Sequence, residues 1–175
     1  MRPQVTSSRA RPSRRVFLAL AGLAVVGVAA VALPKAFAQT ATGQDAQRMD
    51  ADKAYEAARA GEIILVDIRT PQEWQQTGIG EGAIALDMRD PEFVKQLVAL
   101  RQKYEDKPIA LICRTGNRSG YVFEQLNAQG FPGLADVAEG MAGGPNGPGW
   151  INRGLPVYPG SAEEIDTRLK AVLGD

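Results

Sequence analysis

Ile109-Ala110-Leu111-Ile112-Cys113-Arg114-Thr115-Gly116-Asn117-Arg118-Ser119 is the stretch on which the fold turns. Its first four residues are an uninterrupted apolar run, the pattern of a strand buried on both faces of a parallel sheet. A Gly-containing loop follows at once, and the residues from Ser119 to Ala128 read as a helix ended near Gly130. Pro108 stands at the strand's edge. Ligands of such sheets sit beyond the carboxyl ends of the strands, and Cys113 occupies that position.

Working outward, the same alternation recurs. Ile63-Ile64-Leu65-Val66 is a short apolar run ending at Asp67, and Ala83 to Leu86 and Leu134 to Val137 are further strands. Between them the spacing of Ala54, Tyr55 and Ala58 predicts a helix from Asp50 to Ala60, stopped by Gly61. Pro71 opens a short helix through Trp74, broken by Gly78, Gly80 and Gly82. Asp90 as N-cap with Pro91 behind it starts a helix that Phe93, Val94, Leu97, Val98 and Leu100 carry to about Tyr104. A last helix runs from Ser161 to Leu173, with Glu163 and Glu164 in its first turn. Strands alternating with helices indicate an α/β fold, a mostly parallel central sheet flanked by helices on both faces.

The amino-terminal part belongs to another physical class. Residues 1–38 hold six Lys or Arg and no acid. Ser13-Arg14-Arg15-Val16-Phe17-Leu18 resembles a twin-arginine export signal, eighteen uncharged residues run from Val16 to Leu33, and Ala36-Phe37-Ala38 is a small-x-small cleavage site. Cleavage after Ala38 is expected, delivering the protein to the periplasm by the export machinery. The alternative is an uncleaved anchor in the inner membrane facing the periplasm. Spanning a hydrocarbon layer takes ~20 apolar residues, and six Ala and two Gly among these eighteen make a weak anchor. Residues 39–48 read as a flexible polar lead-in, leaving 49–175 as the folded domain.

Removing residues 1–38 leaves 137, with 14 basic and 20 acidic side chains, a net charge of 14 − 20 = −6. That size fits one core, and the acidic balance excludes nucleic acid as a partner, since a basic face dominates that affinity. With no histidine and one cysteine, the chain offers zinc no ligand set. An exported chain with a single Cys makes no internal disulfide, so the thiol is inert in the core, paired to another molecule, or reactive. A lone buried Cys at a strand end is commonly a small hydrophobe. The loop after this one argues otherwise. A thiol must be a thiolate to attack, and with no histidine to take the proton, the available stabilisers are the loop N–H groups, the positive end of the next helix, and the guanidinium groups of Arg114 and Arg118.

At this point the residues resemble a known family. Val66-Asp67-Ile68-Arg69-Thr70-Pro71 with Glu73-Trp74, Gly82-Ala83, Cys113 to Ser119, and Trp150 with Gly154-Leu155-Pro156-Val157 are together similar to a single-domain rhodanese, over about residues 50–160. The resemblance implies a rhodanese-like fold and a thiosulfate sulfurtransferase activity. Cys113 would attack the outer sulfur of thiosulfate or another small sulfur-containing anion, release sulfite and become a persulfide. A thiol, cyanide or protein acceptor would then remove that sulfur. Arg114, Thr115, Gly116, Asn117, Arg118 and Ser119 would form the cradle, with Arg118 receiving the substrate anion. Asp67 and Arg69 would brace the loop through hydrogen bonds, while Glu73 and Trp74 read as helix cap and core. Neither metal nor organic cofactor is called for, and the domain is expected to act as a monomer.

Two departures stand out. Ile79 occupies a position where the family often has His, and Met141 to Gly149, rich in Gly and Pro, lengthens the connection to Trp150. This segment reads as a loop, serving as a rim over the site or as a docking surface. Two rival functions remain. A rhodanese-fold phosphatase or arsenate reductase also holds a thiolate in an amide cradle, but its loop is one residue longer than the four residues between Cys113 and Arg118, which would crowd a tetrahedral phosphate. A periplasmic sulfur carrier or redox accessory with poor turnover on small donors would use the same motif.

Overall fold

The computed structural model describes residues 48–174; residues 1–38, expected to be an export signal, and residues 39–47 of the expected lead-in lie outside the described residues. In chain order the elements are β1 (Arg48–Met49), α1 (Ala51–Arg59), β2 (Ile64–Asp67), α2 (Pro71–Thr77), β3 (Ile79–Gly80), β4 (Ala83–Ala85), α3 (Phe93–Lys103), β5 (Ile109–Ile112), α4 (Asn117–Ala128), β6 (Leu134–Val137), α5 (Gly149–Asn152), β7 (Val157–Tyr158) and α6 (Ala162–Leu173). Five strands form one sheet in the order β1-β6-β5-β2-β4, every pair parallel. The fold is the expected α/β architecture.

The apolar runs are where they should be. All four residues of β5 are buried, with β2 on one side and β6 on the other. Side chains alternate across a strand, so Ile109, Leu111 and Cys113 join Phe93, Leu97, Leu100, Val122 and Phe123 in the core layer under α3, α4 and α6. Ala110 and Ile112 point the other way, into the layer with Ala51, Ala54, Trp74 and Trp150. One strand thus divides two cores, and its end delivers Cys113 to the α4 side.

Boundaries shift for local reasons. Arg48, read as lead-in, begins β1 instead and pairs with Asp136 of β6. The helix expected from Pro91 starts at Phe93, because the Asp90 carboxylate and carbonyl accept from Glu92 N–H and Phe93 N–H and hold a turn first. Conversely α4 begins two residues early, at Asn117, since Gly116 at φ +83° turns the chain into the helix. The helix opened by Pro71 extends to Thr77, its start held by a capping box between Thr70 and Glu73. Strands β3 and β7, an antiparallel pair, have no periodicity at two residues each and escaped the sequence reading.

Candidate active site

The loop after β5 is set by its glycine and by what packs against it. Gly116 is buried and left-handed. A Cβ there would run into the Ala138 carbonyl, so no other residue fits. From the other side Met141 N–H donates to Cys113 O at 2.8 Å and Ala142 N–H to Arg114 O at 2.7 Å. Gly140 lets this strap approach, since a Cβ on it would lie 2.7 Å from the Arg114 carbonyl. The Gly/Pro-rich segment therefore begins as a buttress of the cysteine loop. Its far end is tied by Glu139, 2 % exposed, whose carboxylate accepts from Ala51 N–H, Gly149 N–H and the Arg153 guanidinium. Replacing Gly116 by alanine is expected to cost at least about 1–2 kcal/mol for the left-handed backbone alone. The carbonyl collision adds to this, and thermal unfolding measures the sum.

Within that frame the expected residues separate. The N–H groups of Arg114, Thr115, Gly116, Asn117, Arg118 and Ser119 donate to no acceptor among the described residues, leaving the α4 amino terminus free to face an anion. The Cys113 sulfur itself has no exposed surface. The Ser119 hydroxyl has two acceptors in reach of its one proton, Cys113 Sγ at 3.4 Å and Gly116 O at 3.2 Å. Arg114 and Asn117 are exposed, Thr115 half-buried.

Arg118 is not a free guanidinium. Its Nη1 and Nη2 donate to Glu73 Oε2 and Oε1 at 2.9 and 2.5 Å, a bidentate pair across 45 residues of sequence. Glu73 thus does more than cap α2. Burial works against its ionisation, but the Arg118 hydrogen bonds and the Thr70 N–H outweigh that and hold its carboxyl down at about 2. A depressed carboxylate contributes stability that is present above its unfolded value near 4.5 and lost as pH falls toward 2. Glu73→Gln should therefore flatten the acid limb of the unfolding profile between those values.

Asp67 and Arg69, 0 % and 1 % exposed, are joined face to face: Arg69 Nε lies 3.0 Å from both carboxylate oxygens and Nη2 2.7 Å from Oδ2. Their remaining bonds go to the end of α2, Nη1 to Thr77 Oγ1 and Nη2 to the Gly78 carbonyl, each 2.7 Å. They do not hydrogen bond to residues 113–119, as the sequence reading expected. The bracing is indirect: they fix α2, α2 presents Glu73, and Glu73 holds Arg118. Among the described residues no group of three or more thiol or carboxylate side chains is placed to hold a metal ion.

Two residues of this neighbourhood were missed by sequence reasoning. Glu139, flanked by glycine and alanine, carried only the weak signal of an acid in an apolar stretch, with Arg153 downstream as partner. Asp136 carried the same signal inside β6, where it is 2 % exposed. Burial is the main influence on its carboxyl and raises its pKa, with Ser119 and Arg48 acting in opposition.

Comparison with known proteins agrees with this geometry. The rhodanese-like domain profile matches residues 50–144. A protein called sulfurtransferase from Allochromatium vinosum is 30 % identical over 98 residues, covering 55 % of this chain and 78 % of its own. An uncharacterised protein of Rickettsia prowazekii is 28 % identical over 99 residues, 53 % of this chain and 80 % of that one. Among solved structures, the solution structure of a rhodanese-like domain from Anabaena superposes with a TM-score of 0.51 at 18 % identity, over 70 % of this chain and 83 % of that domain. A crystal structure of the same Anabaena protein gives 0.54 at 16 %, over 71 % and 91 %. A parallel sheet that ends in a cysteine loop buttressed by a glycine strap, matched by this profile over more than half its length, places the chain in the rhodanese-like domain family.

Proposed function

We propose that this chain is a sulfurtransferase that moves a sulfane sulfur from thiosulfate or a similar small anion to a thiol, cyanide or protein acceptor through a persulfide on Cys113. One observation carries the reading: the only cysteine lies at the carboxyl end of the central strand, directly before six backbone N–H groups that have no acceptor among the described residues. Those donors suit a thiolate, a persulfide and a bound oxyanion alike. The name of the Allochromatium vinosum relative supports the same chemistry.

In the first half-reaction the Cys113 thiolate forms a bond to the outer sulfur of thiosulfate. The donor's S–S bond breaks, its electron pair leaves on sulfite, and Cys113 carries a persulfide anion. In the second, the acceptor's nucleophile takes the outer sulfur and the thiolate returns. Neither step needs an external base, metal or organic cofactor. Mass spectrometry after thiosulfate treatment should show one added sulfur on the peptide containing Cys113, removed again by cyanide. An unmodified peptide with every donor tried would overturn the proposal.

The sulfur-carrier reading has support of its own in the Arg118–Glu73 pair. A guanidinium already held by a carboxylate attracts a small dianion weakly, which suits a protein donor more than free thiosulfate. Glu73→Gln keeps the helix cap while releasing Arg118. It should lower the KM for thiosulfate by about three- to tenfold with kcat little changed, if Arg118 receives the donor. An unchanged or higher KM would leave Arg118 as scaffold and favour a protein donor. The periplasmic location of this activity is likewise a proposal, resting on residues 1–38.

A further inference from the structure

The glycines of the strap are of two kinds. A Cβ on Gly140 would lie 2.7 Å from the Arg114 carbonyl, and on Gly143, Gly147 or Gly149 it would strike the Pro148 carbonyl, the Glu139 carboxylate or the Gly143 backbone. These four also have positive φ, so packing and backbone both demand glycine there. Gly144 is different. It is exposed, its φ lies outside the left-handed region, and a Cβ on it would meet only Thr115 O at 3.5 Å and Thr115 Cβ at 3.7 Å, ordinary contact distances. Neither its backbone nor its packing requires a glycine.

The missing side chain leaves the edge of the cysteine loop uncovered. Thr115 is half-buried, between exposed Arg114 and buried Gly116, and so marks the boundary of that loop with solvent. Beside it Gly144 N–H donates to Gly147 O at 2.9 Å and Gly147 N–H to Gly144 O at 3.2 Å, closing a two-residue hairpin with Pro145 and Asn146 at its tip. Asn146 Nδ2 donates back to Ala138 O at 3.0 Å, and Asn152 Nδ2 to Ala142 O and Pro148 O at 3.1 and 3.0 Å. The hairpin is therefore a braced rim. It is also uncharged: no Asp, Glu, Lys or Arg occurs from Gly140 to Asn152, and Pro145, Pro148 and Ile151 are exposed along it.

A small anion is held by charge and by N–H donors and gains nothing from such a rim. A polypeptide segment does gain, since its amide and apolar surface can rest there. The Cys113 sulfur has no exposed surface, so the partner must reach it with a slender group, and a cysteine side chain is one. We propose that Gly144 is a specificity-determining position: by presenting no side chain to Thr115 it keeps the rim of the cysteine loop open to a cysteine carried on a polypeptide segment, which is the sulfur acceptor. The acceptor's thiolate attacks the outer sulfur of the Cys113 persulfide. The S–S bond breaks, its electron pair returns to Cys113 Sγ, and the acceptor departs as a persulfide anion.

The acceptor's identity rests on the proposed function, whereas the role of Gly144 in access is measured without a sulfur donor. Cys113 of the full chain is alkylated with iodoacetamide and with an iodoacetylated short uncharged peptide. The thiosulfate-treated protein is then discharged with cyanide and with the same peptide carrying a cysteine. Gly144→Ala, Gly144→Val and Gly144→Leu should keep the parental unfolding midpoint or, for alanine, raise it slightly. Iodoacetamide and cyanide rates should stay within about twofold of the parent in all three. Both peptide reactions should fall in the order Ala, Val, Leu, by roughly tenfold or more at Leu. Peptide reactions unchanged at Leu, or falling in step with the small probes, would overturn the inference. Should Gly144→Leu fail to fold, the comparison of Gly144→Ala with Gly144→Val decides it. Size-dependent alkylation without any persulfide would uphold the role of Gly144 and remove the proposed function; persulfide formation with a discharge indifferent to residue 144 would remove the inference alone.

Discussion

Cys113→Ser should abolish sulfur transfer to any acceptor while leaving the fold intact. Oxygen replaces sulfur in the one position from which a persulfide can form, and a serine hydroxyl stays protonated in the absence of a histidine base. The structural cost is small. The new hydroxyl sits in an apolar layer, where an unpaired one costs about 1–3 kcal/mol, but Ser119 Oγ stands beside the position and offers it a hydrogen bond. Turnover on thiosulfate and cyanide is expected to fall by about a thousandfold or more, below detection in most assays. Circular dichroism and the unfolding midpoint should match the parent to within a few degrees. Sulfur transfer at the parental rate in this variant would end the mechanism, since no second cysteine exists to replace the first.

The largest effect on stability is expected at Asp67. Asp67→Asn keeps the shape of the side chain and removes its charge, leaving the Arg69 guanidinium in a site that is 1 % exposed, with only Thr77 Oγ1 and the Gly78 carbonyl as acceptors of full strength. Removing one partner of a buried ion pair costs about 3–5 kcal/mol. Against a total of about 5–15 kcal/mol that is a large share, and the midpoint should fall by roughly 10–20 °C. The double change Asp67→Asn with Arg69→Met should be less damaging than the sum of the two single changes, because it leaves no lone charge behind. A midpoint unchanged in the single variant would mean that Thr77 and Gly78 alone suffice for Arg69. The same variant reports on function by an indirect route. If α2 loosens, Glu73 loses its hold on Arg118, and thiosulfate kinetics should change although neither residue 67 nor residue 69 meets the cysteine loop.

How much of this was legible beforehand follows from the range of the forces involved. The run Ile109 to Ile112 declared a buried central strand because four apolar residues in succession fit a strand with a core on both sides. The loop after it declared an anion cradle because a glycine and an incipient helix amino terminus are local features. Helix starts were less secure. At Asp90 the side chain and carbonyl held a turn in preference to a helix, and at Gly116 a left-handed residue started one early, both settled by a few competing hydrogen bonds. Strands of two residues gave no pattern to read, and Arg48 joined the sheet through its partner on β6.

The sequence by itself determined the alternation of the four longer strands with the main helices, the place of Cys113 at a strand end, and the absence of any histidine to activate it. Only the tertiary structure decided which distant side chains meet: Glu73 reaches Arg118 across 45 residues, Glu139 ties the glycine strap to Arg153, and Asp136 comes to lie against α4 beside Gly120. Periodicity and turn chemistry act over a few residues and leave their mark in the chain. Contacts between side chains on different strands depend on parallel register and on which face each residue takes, and those are fixed when the two core layers close over the sheet.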